Sequence, residues 1–325
     1  MRAQTPDSVK TYVDSALYLM QKHSLYAKPL DWKTIRDSVH YKARTAKSYS
    51  DVFLALVYAY DQLKDHHGMF ANTERMHRFP PPRNPSDRMS EGIKKEYLKG
   101  PRIKKAMLAN QVAYLKIPAM QVTKQDAVDQ WANSLRDSLC ALLSQTPSAL
   151  IVDLRMNNGG NSVPMQAGVG SLFGDGIVTY TVDRDKKTFV PTMLTNGVPV
   201  DGTKPLATVK NTCGTYPTIP IAVLIGPSTV SSGEILAVAF KERKNTRLFG
   251  EPTAGFCNAT EGFLFAKNQG YFLLSTSYIA DKHKRIYTEQ EVKPDVFVRS
   301  ADNYEDLPSD VTVQAALNWL KQQVD

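Results

Sequence analysis

Two hydrophobic rhythms divide the chain. In the first, apolar residues recur at helical spacing. Val9, Tyr12, Val13, Ala16, Leu17 and Met20 follow Pro6-Asp7-Ser8, where proline suits a first helical turn. Trp32, Ile35 and Val39 predict a second helix, and Val52, Leu54, Ala55, Leu56, Ala59 and Leu63, led by Ser50-Asp51, a third. This pattern predicts a helical bundle over residues 1–72. Phe79-Pro80-Pro81-Pro82-Arg83-Asn84-Pro85 then forbids further helix, and 73–109 is expected to be a linker.

From about residue 110 strands and helices alternate. Val112 to Pro118, Ala149 to Arg155 and Ile221 to Ile225 are short apolar runs that suit buried strands. Between them, Asp126 to Leu143 places Trp131, Leu135, Leu139 and Leu142 on one helical face, and Val163 to Phe173 predicts another helix. The segment Ile177 to Thr218 is expected to form a β-rich cap with polar turns. Strands over Arg247–Gly250, Gly262–Phe265 and Tyr271–Thr276 and a helix over Val311–Val324 complete the pattern. Repeated βα units predict an α/β fold with a partly parallel sheet over 110–325.

Composition narrows the class. With 42% hydrophobic and 22% charged residues, the 325-residue chain is of ordinary globular make-up. No apolar run approaches the roughly 20 residues of a membrane span. The net charge of +8 gathers in Lys94, Lys95, Lys99, Arg102, Lys104 and Lys105, and again in Lys282, His283, Lys284 and Arg285. Neither stretch has the interleaved aromatics of a nucleic-acid groove, so solvated faces are expected and no nucleic-acid partner. Cys140, Cys213 and Cys257 lack metal-site spacing and leave room for one disulfide at most. No export signal opens the chain: either the protein is cytoplasmic or an export sequence has been removed.

Candidate chemistry centres on Pro220 to Asn245. After the strand Ile221–Ile225, Gly226-Pro227 breaks the chain, and Ser228-Thr229-Val230-Ser231-Ser232-Gly233 leads into a helix from Glu234. Such a strand–turn–helix presents a hydroxyl beside backbone N–H groups that have no helical acceptor, the setting of a nucleophilic serine. Taken alone it is also an ordinary helix cap. Three other segments stand at the ends of predicted elements: Asp65-His66-His67, Asn158-Gly159-Gly160 and Tyr287 to Asp295. A metal on Asp65, His66 and His67 is not expected, because two ligands on one helical face need i and i+4.

In order and wording these segments resemble the S41 family of serine peptidases, the tail-specific and C-terminal-processing proteases. The family's strand ending D-L-R-x-N-x-G-G is matched by Asp153 to Gly160, and T-A-S-S-x-E by Thr229 to Glu234. G-x-x-T-x-G is matched by Gly250 to Gly255, E-x-x-V-x-P-D by Glu289 to Asp295, and Leu-x-Asp-x-His by Leu63 to His67. The resemblance implies a crotonase/ClpP-like core. It implies Ser231 as nucleophile, His67 rather than His66 as base, and Glu289 as the acid supporting the histidine. Gly160 and Ser232 would form the oxyanion hole, with Asp65 and Glu234 in support. Members with a serine–lysine dyad place lysine after the last glycine of G-x-x-T-x-G; here Phe256 stands there, so either histidine supplies the base or the protein is inactive. The stretch from Gly68 to Asn110 is too short for a PDZ domain, and the layout is similar to nisin-resistance-type and tricorn-like members. No cofactor is expected, and the expected partner is a peptide or protein substrate. The expected place is secreted, periplasmic or on the cell envelope. The competing expectation is a non-catalytic, retinoid-binding-like module on the same core.

Overall fold

A computed structural model describes residues 5–81, 84–288, 291–299 and 301–324. The chain forms two compact units. One comprises residues up to Asn84 with Val182–Thr188 and Asn258–Tyr278; the other comprises Pro85–Thr181, Phe189–Cys257 and the residues from Ile279 onward.

The first unit contains the three expected helices, at Asp7–His23, Trp32–Ala43 and Phe53–Leu63. Val13, Leu17, Met20, Val39, Leu56 and Tyr60 are buried at their meeting faces. These faces are not closed by helices alone. Phe70, Phe265, Phe272 and Leu274 join the same core. They come from strand Met69–Asn72, strand Asn258–Phe265 and the first part of strand Gly270–Asp281, which pair antiparallel through Phe70↔Phe272 and Phe265↔Gly270. The Phe70 and Phe272 rings stack with centroids 4.9 Å apart. A bundle of three short helices leaves apolar surface uncovered, and aromatics some 200 positions downstream supply the cover.

The second unit is built on six strands in the order Val296–Phe297, Thr246–Gly250, Ile221–Ile225, Ala149–Asp153, Val112–Lys116 and Lys104–Met107. All neighbours run parallel except the last pair. Every residue of the three middle strands is buried, as expected where both faces of a parallel sheet are covered. On one face Tyr114, Ile151, Ala222 and Leu224 pack against Val313, Ala316 and Leu320 of the helix Val311–Val324. Leu115, Val152 and Val223 alternate with them, point to the other face and are also buried. The α/β expectation with a partly parallel sheet holds.

The cap departs from expectation at its end. Strands occur at Gly176–Val182, Phe189–Thr195, Val198–Asp201 and Lys204–Pro205, but residues 206–219 carry none. That stretch runs along the helix Gln125–Leu143, whose side chains take its backbone donors: Thr208 N–H on Asp129 at 2.8 Å and Lys210 N–H on Asn133 at 2.8 Å. A disulfide between Cys140 and Cys213, 73 residues apart, fastens it further. Among the described residues Cys257 is the free thiol, and it is buried.

The span 73–109 carries structure of its own, including the helix Glu91–Tyr97 and the strand Lys104–Met107. Its basic residues are not simply solvated. Glu96 is buried and pairs with Lys99, Arg102 and the buried Lys116.

Arg155, 1% exposed, binds Asp153 at 2.7 Å, Asp302 at 2.6 Å and Asp310 at 2.8 Å, under the ring of Tyr304. Burial alone would lift the Asp153 carboxyl, but the guanidinium beside it holds it below the usual range. One cation thus ties the end of the strand Ala149–Asp153 to two loops near the C-terminus. Arg155→Met leaves three carboxylates without their shared partner, and a loss of about 3–5 kcal/mol is expected in urea unfolding. A loss below about 1 kcal/mol would contradict this assignment.

Candidate active site

The strand Ile221–Ile225 ends at Gly226, and the helix Ser232–Lys241 begins six residues on. Ser231 lies at the junction with φ 56° and ψ −118°. A non-glycine residue in this region stores roughly 1–3 kcal/mol of strain, so its surroundings must hold it there. Thr229 Oγ1 donates to the Leu154 carbonyl at 2.9 Å, and the Val230 N–H donates to the Asn157 carbonyl at 3.0 Å. The Ser231 N–H donates to Glu234 Oε2 at 2.8 Å.

Glu234 is fully buried and accepts three more hydrogen bonds. Thr253 Oγ1 donates at 2.6 Å, the Gly255 N–H at 2.8 Å and the Phe256 N–H at 2.9 Å. Burial pushes its carboxyl up to about 7 against the pull of these donors. Phe256, at the position where a lysine base would stand, contributes a backbone donor to this carboxylate. Burial also pushes the Cys257 thiol well up, with Glu234 adding to the effect, so it is no rival nucleophile.

The glycine turn meets Ser231 through Gly159. A Cβ there would lie 2.8 Å from Ser231 Cβ, whereas one on Gly160 would lie 2.3 Å from the Met120 carbonyl oxygen. Both glycines have positive φ, 92° and 109°. Met120 N–H donates to the Gly159 carbonyl at 3.0 Å and Asn161 N–H to the Met120 carbonyl at 2.8 Å, which fastens the turn. Ser232 Oγ donates to the Gly160 carbonyl at 2.6 Å. Gly159 N–H is taken by Asn157 Oδ1 at 3.1 Å. Among the described residues no acceptor meets the N–H of Gly160 or of Ser232. Beside Asn158 opens a cavity of about 320 Å³ whose lining includes Tyr97, Pro118, Val122, Trp131 and Met156.

In the first unit, Lys64 ends the helix Phe53–Leu63 with φ 53° and turns the chain into Asp65-His66-His67. Asp65 is buried and accepts from the N–H groups of His67 (3.1 Å), Gly68 (2.9 Å) and Ser275 (2.8 Å). His66 is turned away to the Pro80 carbonyl, 2.6 Å from its Nδ1, beside the Phe79 ring. His67 is half-buried, with Nδ1 on Asn258 Oδ1. Burial lowers its pKa below the ordinary histidine value of 6.5, with the Asn258 bond and Asp65 opposing. Glu289 lies outside the described residues; its neighbour Glu291 pairs with Arg88 at 2.8 Å. Asn258 was not among the expected site residues. The available signal was an amide at the head of a strand, directly after Thr253-Ala254-Gly255-Phe256-Cys257.

The sequence profile of peptidase family S41 matches residues 111–298. The chain belongs to peptidase family S41. Among curated proteins it is similar to the nisin-resistance protein of Lactococcus lactis subsp. lactis, 25% identical over 319 residues, covering 98% of this chain and 89% of that protein. It is also similar to the chloroplastic carboxyl-terminal-processing peptidase 2 of Arabidopsis thaliana, 27% identical over 178 residues, or 54% of this chain and 30% of that one. Among solved structures, a lipoprotein from Streptococcus agalactiae superposes with TM-score 0.73 at 21% identity, covering 98% of both chains. The photosystem II D1 C-terminal processing protease superposes with TM-score 0.60 at 13% identity, covering 96% of this chain and 97% of that one. This S41 member is therefore a serine peptidase, and the ligand-holding alternative gives way to a hydrolase.

The Glu234 carboxyl has a sign in the stability of this S41 peptidase. Its folded pKa of about 7 lies above the reference value of 4.5, so the folded state holds an extra proton between the two. The Glu234 contribution to stability falls as pH rises through this window and is constant above it. In urea unfolding, the deficit of Glu234→Gln relative to wild type is expected to be larger at pH 5 than at pH 8. A deficit that grows from pH 5 to pH 8 would contradict this.

Proposed function

We propose that this S41 peptidase cleaves peptides or protein tails through an acyl-enzyme, with Ser231 as nucleophile and His67 as general base. The observation that carries the proposal is the strained Ser231 turn, set beside two backbone N–H groups that lack acceptors among the described residues. Ser231 Oγ attacks the peptide carbonyl while His67 accepts its proton at Nε2. The tetrahedral oxyanion lies against the N–H groups of Gly160 and Ser232, where loss of one donor typically costs roughly 3–4 kcal/mol. Gly159 supplies the close approach to Ser231, and its own N–H is spent on Asn157. The protonated His67 then gives its proton to the leaving amine, and a water deprotonated by the same ring releases the acyl group. Glu234 acts as a brace for the turn. Glu289 keeps its proposed place as acidic support by family resemblance alone.

The cavity beside Asn158 offers apolar walls for a substrate side chain, in keeping with a peptide substrate. The names of the relatives, a nisin-resistance protein and carboxyl-terminal-processing peptidases, support the same class. An extracytoplasmic place belongs to this proposal. It is supported by the Cys140–Cys213 disulfide, and it accords with a structural neighbour, from Streptococcus agalactiae, that is a lipoprotein. No helix among the described residues is long and apolar enough to cross a membrane.

Ser231→Ala is expected to reduce hydrolysis of a peptide library to background while circular dichroism and melting stay unchanged. Residual turnover near the wild-type rate would remove Ser231 from the role. The neutral ring of His67 is the active form, so kcat/KM is expected to rise along an acid limb with its midpoint below 6.5. An acid limb centred above that value would contradict the assignment of the base.

A further inference from the structure

The hydrogen bonds behind His67 run in one direction only. Asp65 accepts from three backbone N–H groups and from Ser275 Oγ at 2.7 Å. A carboxylate has nothing to donate, so the one hydroxyl proton of Ser275 points to Asp65. Ser275 Oγ can then only accept from Asn258, whose Nδ2 lies 3.0 Å away. Asn258 Nδ2 also donates to Tyr26 Oη at 3.1 Å. With its nitrogen committed on that side, Asn258 presents Oδ1 to His67 Nδ1. An amide oxygen accepts and cannot donate, so the proton lies on Nδ1 and the lone pair on Nε2.

We infer that Asn258, set by Ser275 and Asp65, is the positioning residue that holds His67 in the Nδ1–H tautomer, with Nε2 as its proton-accepting atom. The kinetic consequences rest on the proposed role of His67 as base; the tautomer itself does not. An imidazole in water favours the opposite tautomer, so this one needs an acceptor at Nδ1. The choice of an amide has a second consequence. A carboxylate there would stabilise the imidazolium and raise the pH at which the ring becomes a base. Asparagine fixes the ring without adding charge, and half-buried His67 stays neutral. Along the relay Asp65 stands three hydrogen bonds from the His67 ring, and three of the donors it holds are backbone groups. It shapes the loop that carries His67 and orients the relay. All of these residues, Tyr26, Asp65, His67, Asn258 and Ser275, belong to the first unit.

The direct test is two-dimensional ¹⁵N–¹H spectroscopy of histidine-labelled wild-type protein, with the His67 signals assigned by their loss in His67→Gln. The expected pattern at pH 8 is a protonated Nδ1 and an unprotonated Nε2. A ring protonated at Nε2 would overturn the inference, and this measurement needs no variant at Asn258. In Asn258→Ala the Nε2–H form is expected to gain population, and kcat to fall by at least about tenfold with KM little changed, as follows from a wrong tautomer. Asn258→Asp keeps an acceptor at Nδ1. It is expected to retain the tautomer while moving the His67 titration and the acid limb of kcat/KM to higher pH. Unchanged tautomer populations in Asn258→Ala would overturn the relay. Populations that shift while hydrolysis stays at the wild-type rate would uphold the relay and remove His67 from the role of base.

Discussion

A serine with φ 56° and ψ −118° is the constraint around which the second unit is arranged. The strand before it and the helix after it are ordinary in sequence, and neither favours that backbone conformation. What holds it is a single buried carboxylate. Glu234 gathers donors from Ser231, Thr253, Gly255 and Phe256, and so joins the start of the helix to the loop that follows the strand Thr246–Gly250. A fully satisfied polar cluster of this kind is rigid because each member loses its partner if another moves. The strain and the brace belong together: the turn would relax without the carboxylate, and the buried carboxylate would be costly without the turn.

This arrangement also explains what Phe256 does in place of a lysine. Its backbone N–H serves the brace, and its side chain offers no base. In the proposed mechanism proton transfer falls to an imidazole, and the first unit contains one, His67, that is fixed by a chain of hydrogen bonds. Asp65 holds the loop, Ser275 and Asn258 transmit the direction, and His67 receives it. Two carboxylates, Glu234 and Asp65, therefore do comparable work at different places. Each fixes backbone donors beside a side chain of the proposed dyad.

Much of the core was legible in the sequence because its signals are local. Uniform apolar runs marked the parallel strands, small residues marked the Ser231 turn, and Gly159-Gly160 marked a turn that no other residue fits. What could not be read depends on contacts distant along the chain. Phe265 and Phe272 complete the helical core from more than 200 positions away, and Asn258 meets His67 across 191 positions with no periodic pattern to announce it. Arg155 was visible as part of a motif, while its partners Asp302 and Asp310 looked like ordinary acids in a polar loop. The β pattern of the cap failed after Pro205, where polar side chains on a helix replaced the strand partner. Basic residues near Lys99 suggested a solvated face, because one buried glutamate among them is easily overlooked.

In the proposed mechanism the oxygen of Ser231 is made nucleophilic by His67. The decisive measurement is the rate at which a fluorophosphonate modifies Ser231 at pH 8 in wild type and in His67→Ala. Capture of Ser231 in wild type, slowed to background in His67→Ala while the variant remains folded, is the expected result. Equal rates in the two proteins would contradict the claim and leave Ser231 activated by some other group.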